Sequence, residues 1–131
     1  MANLQINPDI LPFNDYIQET GSNGYGSWIK YKNGVMITAR TTNTISVDIT
    51  SAWGNLYVGK INDYYRFPQY FIEAPTVIYD IIPAASLGCF AAKYNAPIIT
   101  NEKIDELWVA RPNSTTGVLV KVNIIAIGKW K

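Results

Sequence analysis

Histidine is absent from the 131 residues, and cysteine occurs once, as Cys89. With one cysteine no intrachain disulfide can form. Zinc takes most of its ligands from Cys and His, so no metal site is expected, and no cofactor. A catalytic thiolate at Cys89 would need a base beside it, and no imidazole exists to serve. The stretch "SLGCFAAK" reads instead as a small buried hydrophobe in its run. Charge is scarce as well: Asp, Glu, Lys and Arg make up 16% of the chain, against about 25% in an average soluble protein. Eleven basic and ten acidic residues leave a net charge of +1, with no block of either sign. A phosphate backbone needs a basic stripe, so nucleic acid is not an expected partner. Apolar runs are short; Val122 to Gly128 is among the longest, and membrane insertion is not expected. The first residues lack a basic start and an apolar stretch, which reads as synthesis in the cytoplasm without a signal peptide.

Catalytic patterns are missing too. There is no GxSxG nucleophile elbow and no phosphate-cradling GxxxxGK[ST]. Asp48, Asp63, Glu73, Asp80, Glu102, Asp105 and Glu106 are scattered through turns and polar strand faces. Glycoside hydrolysis needs two carboxylates at a set separation, and nothing in this spacing pairs them. No catalytic residue is assigned, and the chain is read as a non-enzyme. Asn113-Ser114-Thr115 matches a glycosylation sequon but reads as a turn.

Short runs with period-two alternation, separated by turn residues, fill the body of the chain. They predict an all-β antiparallel β-sandwich, jelly-roll-like, as a single domain. Met1 to Asn14, with two prolines and no period, reads as an extended arm. The division is an arm over residues 1–20 and a sandwich over 21–131. The glycines of "ETGSNGYGS", Glu19 to Ser27, read as a loop. Strands are expected over Thr44–Thr50, Thr76–Ile82 and Val118–Ile127. Ile124 to Ile127 is apolar on both faces, which calls for a second layer or a neighbouring subunit against it. The low charge points the same way, although a polar Asn- and Thr-rich surface is the alternative. Ile124, Ile125 and Ile127 are the candidate oligomer interface. "ITNEKIDELW" offers one helical turn or a strand from Glu106 to Ala110, and the strand is preferred.

"SWIKYKNGVMITART" predicts a hairpin whose register can be argued. A three-residue loop, Lys32-Asn33-Gly34, pairs Ile29 with Ile37. It sets Ile29, Tyr31, Val35, Ile37 and Ala39 on one face and Trp28, Lys30, Met36, Thr38 and Arg40 on the other. A two-residue loop mixes the two sets. The three-residue loop needs a bulge with Gly34 at positive φ.

Nine tyrosines, four tryptophans and four phenylalanines exceed what a core of this size needs. Tyr25, Trp28, Trp53, Tyr57, Tyr64, Tyr65, Tyr94 and Trp108 fall beside loops or on polar faces. Sugar-binding surfaces use rings in this way, stacking the apolar face of a sugar while polar neighbours meet its hydroxyls. Packing in the core or at a subunit interface is the competing reading for each ring.

Three elements in order resemble a known family. "GYGSWIKYKNGVMIT" opens it, "YRFPQYFIEAPTVIYDI" follows the pattern F-P-x-x-F-x-x-x-P-x-V, and "VNIIAIGKWK" closes it. Together they look like the C-terminal domain of bacteriophage tail fibres and minor tail proteins, the receptor-binding tip of phages and prophages of Gram-positive bacteria. The resemblance implies a β-sandwich that ends a fibre as a homotrimer, located in the virion. It implies contact with bacterial cell-surface polysaccharide, and it carries over no catalytic residue. In the pattern Phe67 and Phe71 are core positions, Pro75 turns into the next strand, and Asp63 to Arg66 form a loop. The candidate ligand residues are Tyr25, Trp53, Asp63, Tyr64, Tyr65 and Arg66. A purely structural cap that closes a fibre, and a free carbohydrate-binding or hydrolytic domain, are the alternative functions.

Overall fold

The computed structural model describes residues 16–131. The arm assigned to Met1–Asn14 lies outside the described residues. Thirteen strands and no helix are found among the described ones. In chain order they begin β1 (Ile17–Asn23), β2 (Gly26–Tyr31), β3 (Val35–Thr41), β4 (Ile45–Ile49), β5 (Ser51–Trp53), β6 (Leu56–Lys60) and β7 (Tyr65–Arg66). They continue β8 (Thr76–Pro83), β9 (Phe90–Ala92), β10 (Ile98–Ile99), β11 (Lys103–Asp105), β12 (Trp108–Arg111) and β13 (Thr115–Lys129). All pairings are antiparallel. The expected all-β antiparallel sandwich is what forms.

β13 is the spine of a six-stranded sheet. β8 pairs with it from Val120 to Ile127, and β3 pairs with its opposite edge from Asn123 to Lys129. β4 continues along the β3 edge, from Thr115 to Val120. The chain breaks between β3 and β4, and Thr42 bridges the gap: its N–H donates to the Val122 carbonyl (2.9 Å), and its Oγ1 accepts from the Val122 N–H (3.0 Å). A side-chain oxygen thus replaces a missing ladder acceptor, as a buried amide requires. β1 and β2 extend the sheet beyond β3. A second sheet, in the order β5-β6-β12-β9, faces β4, and β10, β11 and β7 form a small third one. Only Thr50 separates β4 from β5, so the chain passes from one sheet to the other at a corner. At the crossing, Gly59 lies directly against the β4 backbone; a Cβ there would overlap the carbonyl of Asp48.

Between the layers Val118, Val120, Val122, Ile124 and Ala126 of β13 meet Met36, Val47, Ile49, Ile81, Ile104, Leu107 and Val109. Each such side chain, fully buried, is worth roughly 1.5–3 kcal/mol over an exposed one. Phe67 and Phe71 join this core as expected, edge to face at 5.3 Å.

The hairpin has the argued register. Ile29 pairs with Ile37, Gly34 has φ of +97°, and the Gly34 N–H donates to the Tyr31 carbonyl at 3.0 Å. The face that turns inward is the more polar one: Met36 and Thr38 are buried, while Val35 and Ile37 are half-exposed. Two further readings are corrected. Glu19–Ser27 is not a loop but the end of β1, a tight turn and the start of β2, and the boundary expected after residue 20 falls inside β1. Gly21 is small because the Trp28 ring lies across it, and Gly26 holds φ of +126°. The preferred Glu106–Ala110 strand starts later, at Trp108; Glu106 itself takes a left-handed conformation (φ +61°) that separates β11 from β12.

Candidate functional site

The tip of the β1–β2 hairpin meets the segment that follows β7. Asn23 holds the two together: its side-chain nitrogen donates to the Pro68 carbonyl (2.8 Å), and its side-chain oxygen accepts from the Tyr25 N–H (2.8 Å). Asn23 and Pro68, 45 positions apart in the chain, are joined at this point by one amide. Phe67 and Phe71 point into the core, which forces Gln69 and Tyr70 outward between them. An open cleft of about 420 Å³ results, lined by Asn23, Tyr25, Arg66, Phe67, Pro68, Gln69 and Tyr70.

Cations and rings alternate around this cleft. The Arg66 guanidinium donates to the Tyr70 hydroxyl (2.9 Å) and lies 5.9 Å from the centre of the Tyr64 ring. Lys103 sits over the same ring at 4.1 Å. Arg40 enters from β3, donating to the Arg66 carbonyl (3.2 Å) between the rings of Tyr25 (5.6 Å) and Tyr65 (5.2 Å). Such contacts hold the arginine planes in place without neutralising them.

The structure sorts the expected ligand residues. Tyr25 and Arg66 line the cleft; Tyr64 does not, but its ring lies beside the Arg66 guanidinium. Tyr25 and Tyr64 are exposed. Asp63 is exposed and accepts from the Tyr64 N–H (2.8 Å), shaping the turn before β7. Tyr65 does not face solvent. It is 3% exposed, in β7, packed in the core. The expected loop from Asp63 to Arg66 ends in that strand, whose pairing with β11 turns Tyr65 inward. Burial, helped by the charge of Asp63 and opposed by Arg40, pushes its phenol up from 10.0 to about 12. Trp53 is exposed but belongs to a different group of rings: it packs edge-on against Tyr94 (5.4 Å), which in turn packs on Trp108 (4.7 Å). Asn23, Gln69 and Tyr70 were missed. The F-P-x-x-F pattern contained the signal for the last two, which fill its two open positions between inward phenylalanines, whereas Pro68 is buried with them.

The candidate interface residues also divide. Ile124 is buried in the core, because period two turns it to the inner face. Ile125 and Ile127 lie on the outer face of the large sheet, 44% and 41% exposed. The register sets Ile125 between Ile78 and Ala39, and Ile127 beside Ile37 and Ile29 in turn. Ile78 is 63% exposed. An apolar band thus crosses four strands with no layer over it among the described residues.

Among the described residues no three His, Cys, Asp or Glu side chains lie close enough together to hold a metal ion. Cys89 is half-buried, and burial pushes its thiol up, away from thiolate reactivity.

No protein-family model matches the chain, and no curated protein matches it. Two solved structures resemble it. One is an N-truncated R1-type pyocin tail fibre, with a TM-score of 0.56 over 84% of each chain and 13% identity. The other comprises C-terminal residues 323–701 of the P. aeruginosa R1 pyocin fibre, with a TM-score of 0.55 and 13% identity over 82% of this chain and 27% of that one. At such identity the likeness is one of fold.

Proposed function

We propose that this chain is a phage-type tail-fibre domain that attaches the virion to bacterial cell-surface polysaccharide and has no catalytic activity. Two solved tail fibres share its fold, and the three ordered sequence elements resemble the same class of protein. The observation that carries the binding reading is the open cleft at the hairpin tip, where exposed Tyr25 and Tyr70 stand beside Arg66, Asn23 and Gln69. Rings for the apolar faces of sugars, with amides and a guanidinium for their hydroxyls, are the composition such a ligand requires. The cleft is open, so one site holds a single sugar weakly, with a Kd on the order of 1 mM. Three copies on a homotrimer would raise the apparent affinity on a repeating polymer. The uncovered band around Ile125 and Ile127 supplies the surface for that trimer. The family resemblance implied Gram-positive hosts, whereas one of the solved fibres is from P. aeruginosa; the proposal is restricted to neither.

The test is adherence of the labelled protein to bacterial cells and to their isolated envelopes. Tyr25→Ala and Tyr70→Ala should each reduce adherence several-fold at an unchanged melting temperature. Adherence unaffected by both variants, or none to any envelope, defeats the reading. Retained trimerisation without adherence would favour the structural cap.

A further inference from the structure

Three cations around the cleft lack an acidic partner. The ion pairs among the described residues are Lys30–Glu19 (3.3 Å) and Lys60–Glu106 (2.7 Å). Arg40, Arg66 and Lys103 are in neither. Each rests on tyrosine rings instead, and the Arg66 side chain donates to a neutral hydroxyl. The nearest carboxylates in the chain, Asp63 and Glu102, make no ion pair with them, and Asp63 is turned to the Tyr64 N–H. Most of the eleven basic residues lack an acidic partner; what sets these three apart is that they gather on the rings of Tyr25, Tyr64 and Tyr65, with Arg66 in the cleft itself. A neutral sugar can use a guanidinium only as one more donor to a hydroxyl, a role that amides fill equally well. A guanidinium presents parallel N–H groups in a plane, the geometry that matches a carboxylate or phosphate edge.

We propose that the cleft selects a sugar polymer bearing oxyanions, uronate carboxylates or phosphodiesters. The sugar stacks on Tyr70 and Tyr25 while Arg66 takes the oxyanion and Lys103 and Arg40 supply the surrounding positive field. This rests on the adhesion reading above and narrows its ligand.

The experiment measures binding of the full chain to four probes across a range of NaCl concentrations. They are polygalacturonate, poly(glycerol phosphate), neutral dextran and a single-stranded thymidine oligonucleotide. At least one of the two anionic sugar polymers should bind ten times or more tighter than dextran and weaken as salt rises; which one does so separates carboxylate from phosphate. Arg66→Gln should lower that affinity roughly 10- to 100-fold, the loss of a charge-assisted contact, and should weaken dextran far less, where only a neutral hydroxyl contact is lost. Should Arg66→Gln melt early, Lys103→Gln reads the same charge, with a several-fold loss expected. Equal binding of dextran and the anionic polymers, indifferent to Arg66→Gln, overturns the inference and leaves adhesion standing. Adherence to cells with no binding of either anionic polymer overturns it too. An oligonucleotide bound as tightly as the sugars would show a general polyanion surface and defeat it. Failure of all four probes and of cell adherence defeats both readings.

Discussion

Ile124 and Ile125 are the same residue, adjacent on one strand, with opposite surroundings. Ile124 is 3% exposed and packs with Met36, Val122 and Ile81 in the core cluster, whereas Ile125 is 44% exposed between Ala39 and Ile78. Tyr64 and Tyr65 repeat the contrast, at 41% and 3% exposed. Alternation along an extended chain accounts for the opposite directions. What lies on each side is decided elsewhere, by the strands that bring a second sheet over one face and leave the other bare. The inner face therefore specifies the protomer. The outer face, apolar without a cover, is available to specify an assembly.

The comparison breaks most visibly at the isoleucine pair. Ile124→Ala should destabilise the protomer by about 2–5 kcal/mol, the range for emptying a packed core position. Ile125→Ala, with no cavity to leave, should stay within about 0.5 kcal/mol in dilute protein. Urea unfolding of the two variants side by side measures both. Equal costs would mean that the outer face is already covered within one chain.

The inward tyrosine, Tyr65, can be read at high pH. The Tyr65 phenol has no hydrogen-bond partner, and burial raises it to about 12 in the folded chain from 10.0. The folded state therefore holds this proton more tightly than the unfolded state does. Its contribution is whole below pH 10 and is lost as pH rises towards 12, by roughly 2–3 kcal/mol for a shift of that size. Tyr65→Phe should flatten this part of the alkaline loss of stability and cost little at neutral pH, since no hydrogen bond is given up. Melting temperatures between pH 8 and 11.5 give the answer.

Direction and register were legible in the sequence to different degrees. The hairpin register followed from segregation, because only a three-residue loop puts Ile29 with Ile37. Which face turned inward was not legible, since the apolar set of Ile29, Val35 and Ile37 lies outside. The inner face can be the more polar one because its long side chains lie along rings: Lys30 over Trp130 at 5.2 Å, and Arg40 over Tyr65. Local pattern cannot show a ring that arrives from a hundred residues away. The glycines before the hairpin misled for a related reason. Gly21 makes room for the Trp28 ring across the strand pair, and taken alone it looked like flexibility. Part of the candidate site was readable: Tyr25 and Arg66 line the cleft, with the Tyr64 ring beside Arg66. Trp53 was separated from them by the sheet that carries it, and Tyr65 by the inward turn of a two-residue strand.

The inner face also carries polar atoms, and these test whether burial there is specific. Thr42 is 5% exposed; besides meeting Val122, its hydroxyl donates to the Asn43 carbonyl at 2.9 Å. Thr42→Val keeps the shape and removes the acceptor, leaving the Val122 N–H unpaired. A cost of about 1–3 kcal/mol is expected, along with faster amide exchange at Val122. A silent variant would show that water reaches the break between β3 and β4, and that the inner face is wetter there than at Ile124.

The smallest expected effect on the protomer is the one with the largest expected effect on assembly. Ile125→Lys places an ammonium on a surface that water already touches, so the isolated chain should keep its stability within about 0.5 kcal/mol. If three copies meet through the outer sheet face, the same ammonium is taken out of water with no carboxylate directly across from it. The register gives it Ile78 and Ala39, with Asp80 beside Asn123 two residues along. An interface that holds should bury more than about 1,000 Å², and a desolvated charge at its centre opposes that by several kcal/mol. Light scattering should therefore give a trimer for the parent and the 14.7 kDa chain for the variant. Melting of the parent should depend on concentration and that of the variant should not, because association stabilises by mass action. A variant that trimerises as the parent does would move the interface off this face; a parent that is a monomer at high micromolar concentration would remove the reason for the bare apolar band altogether.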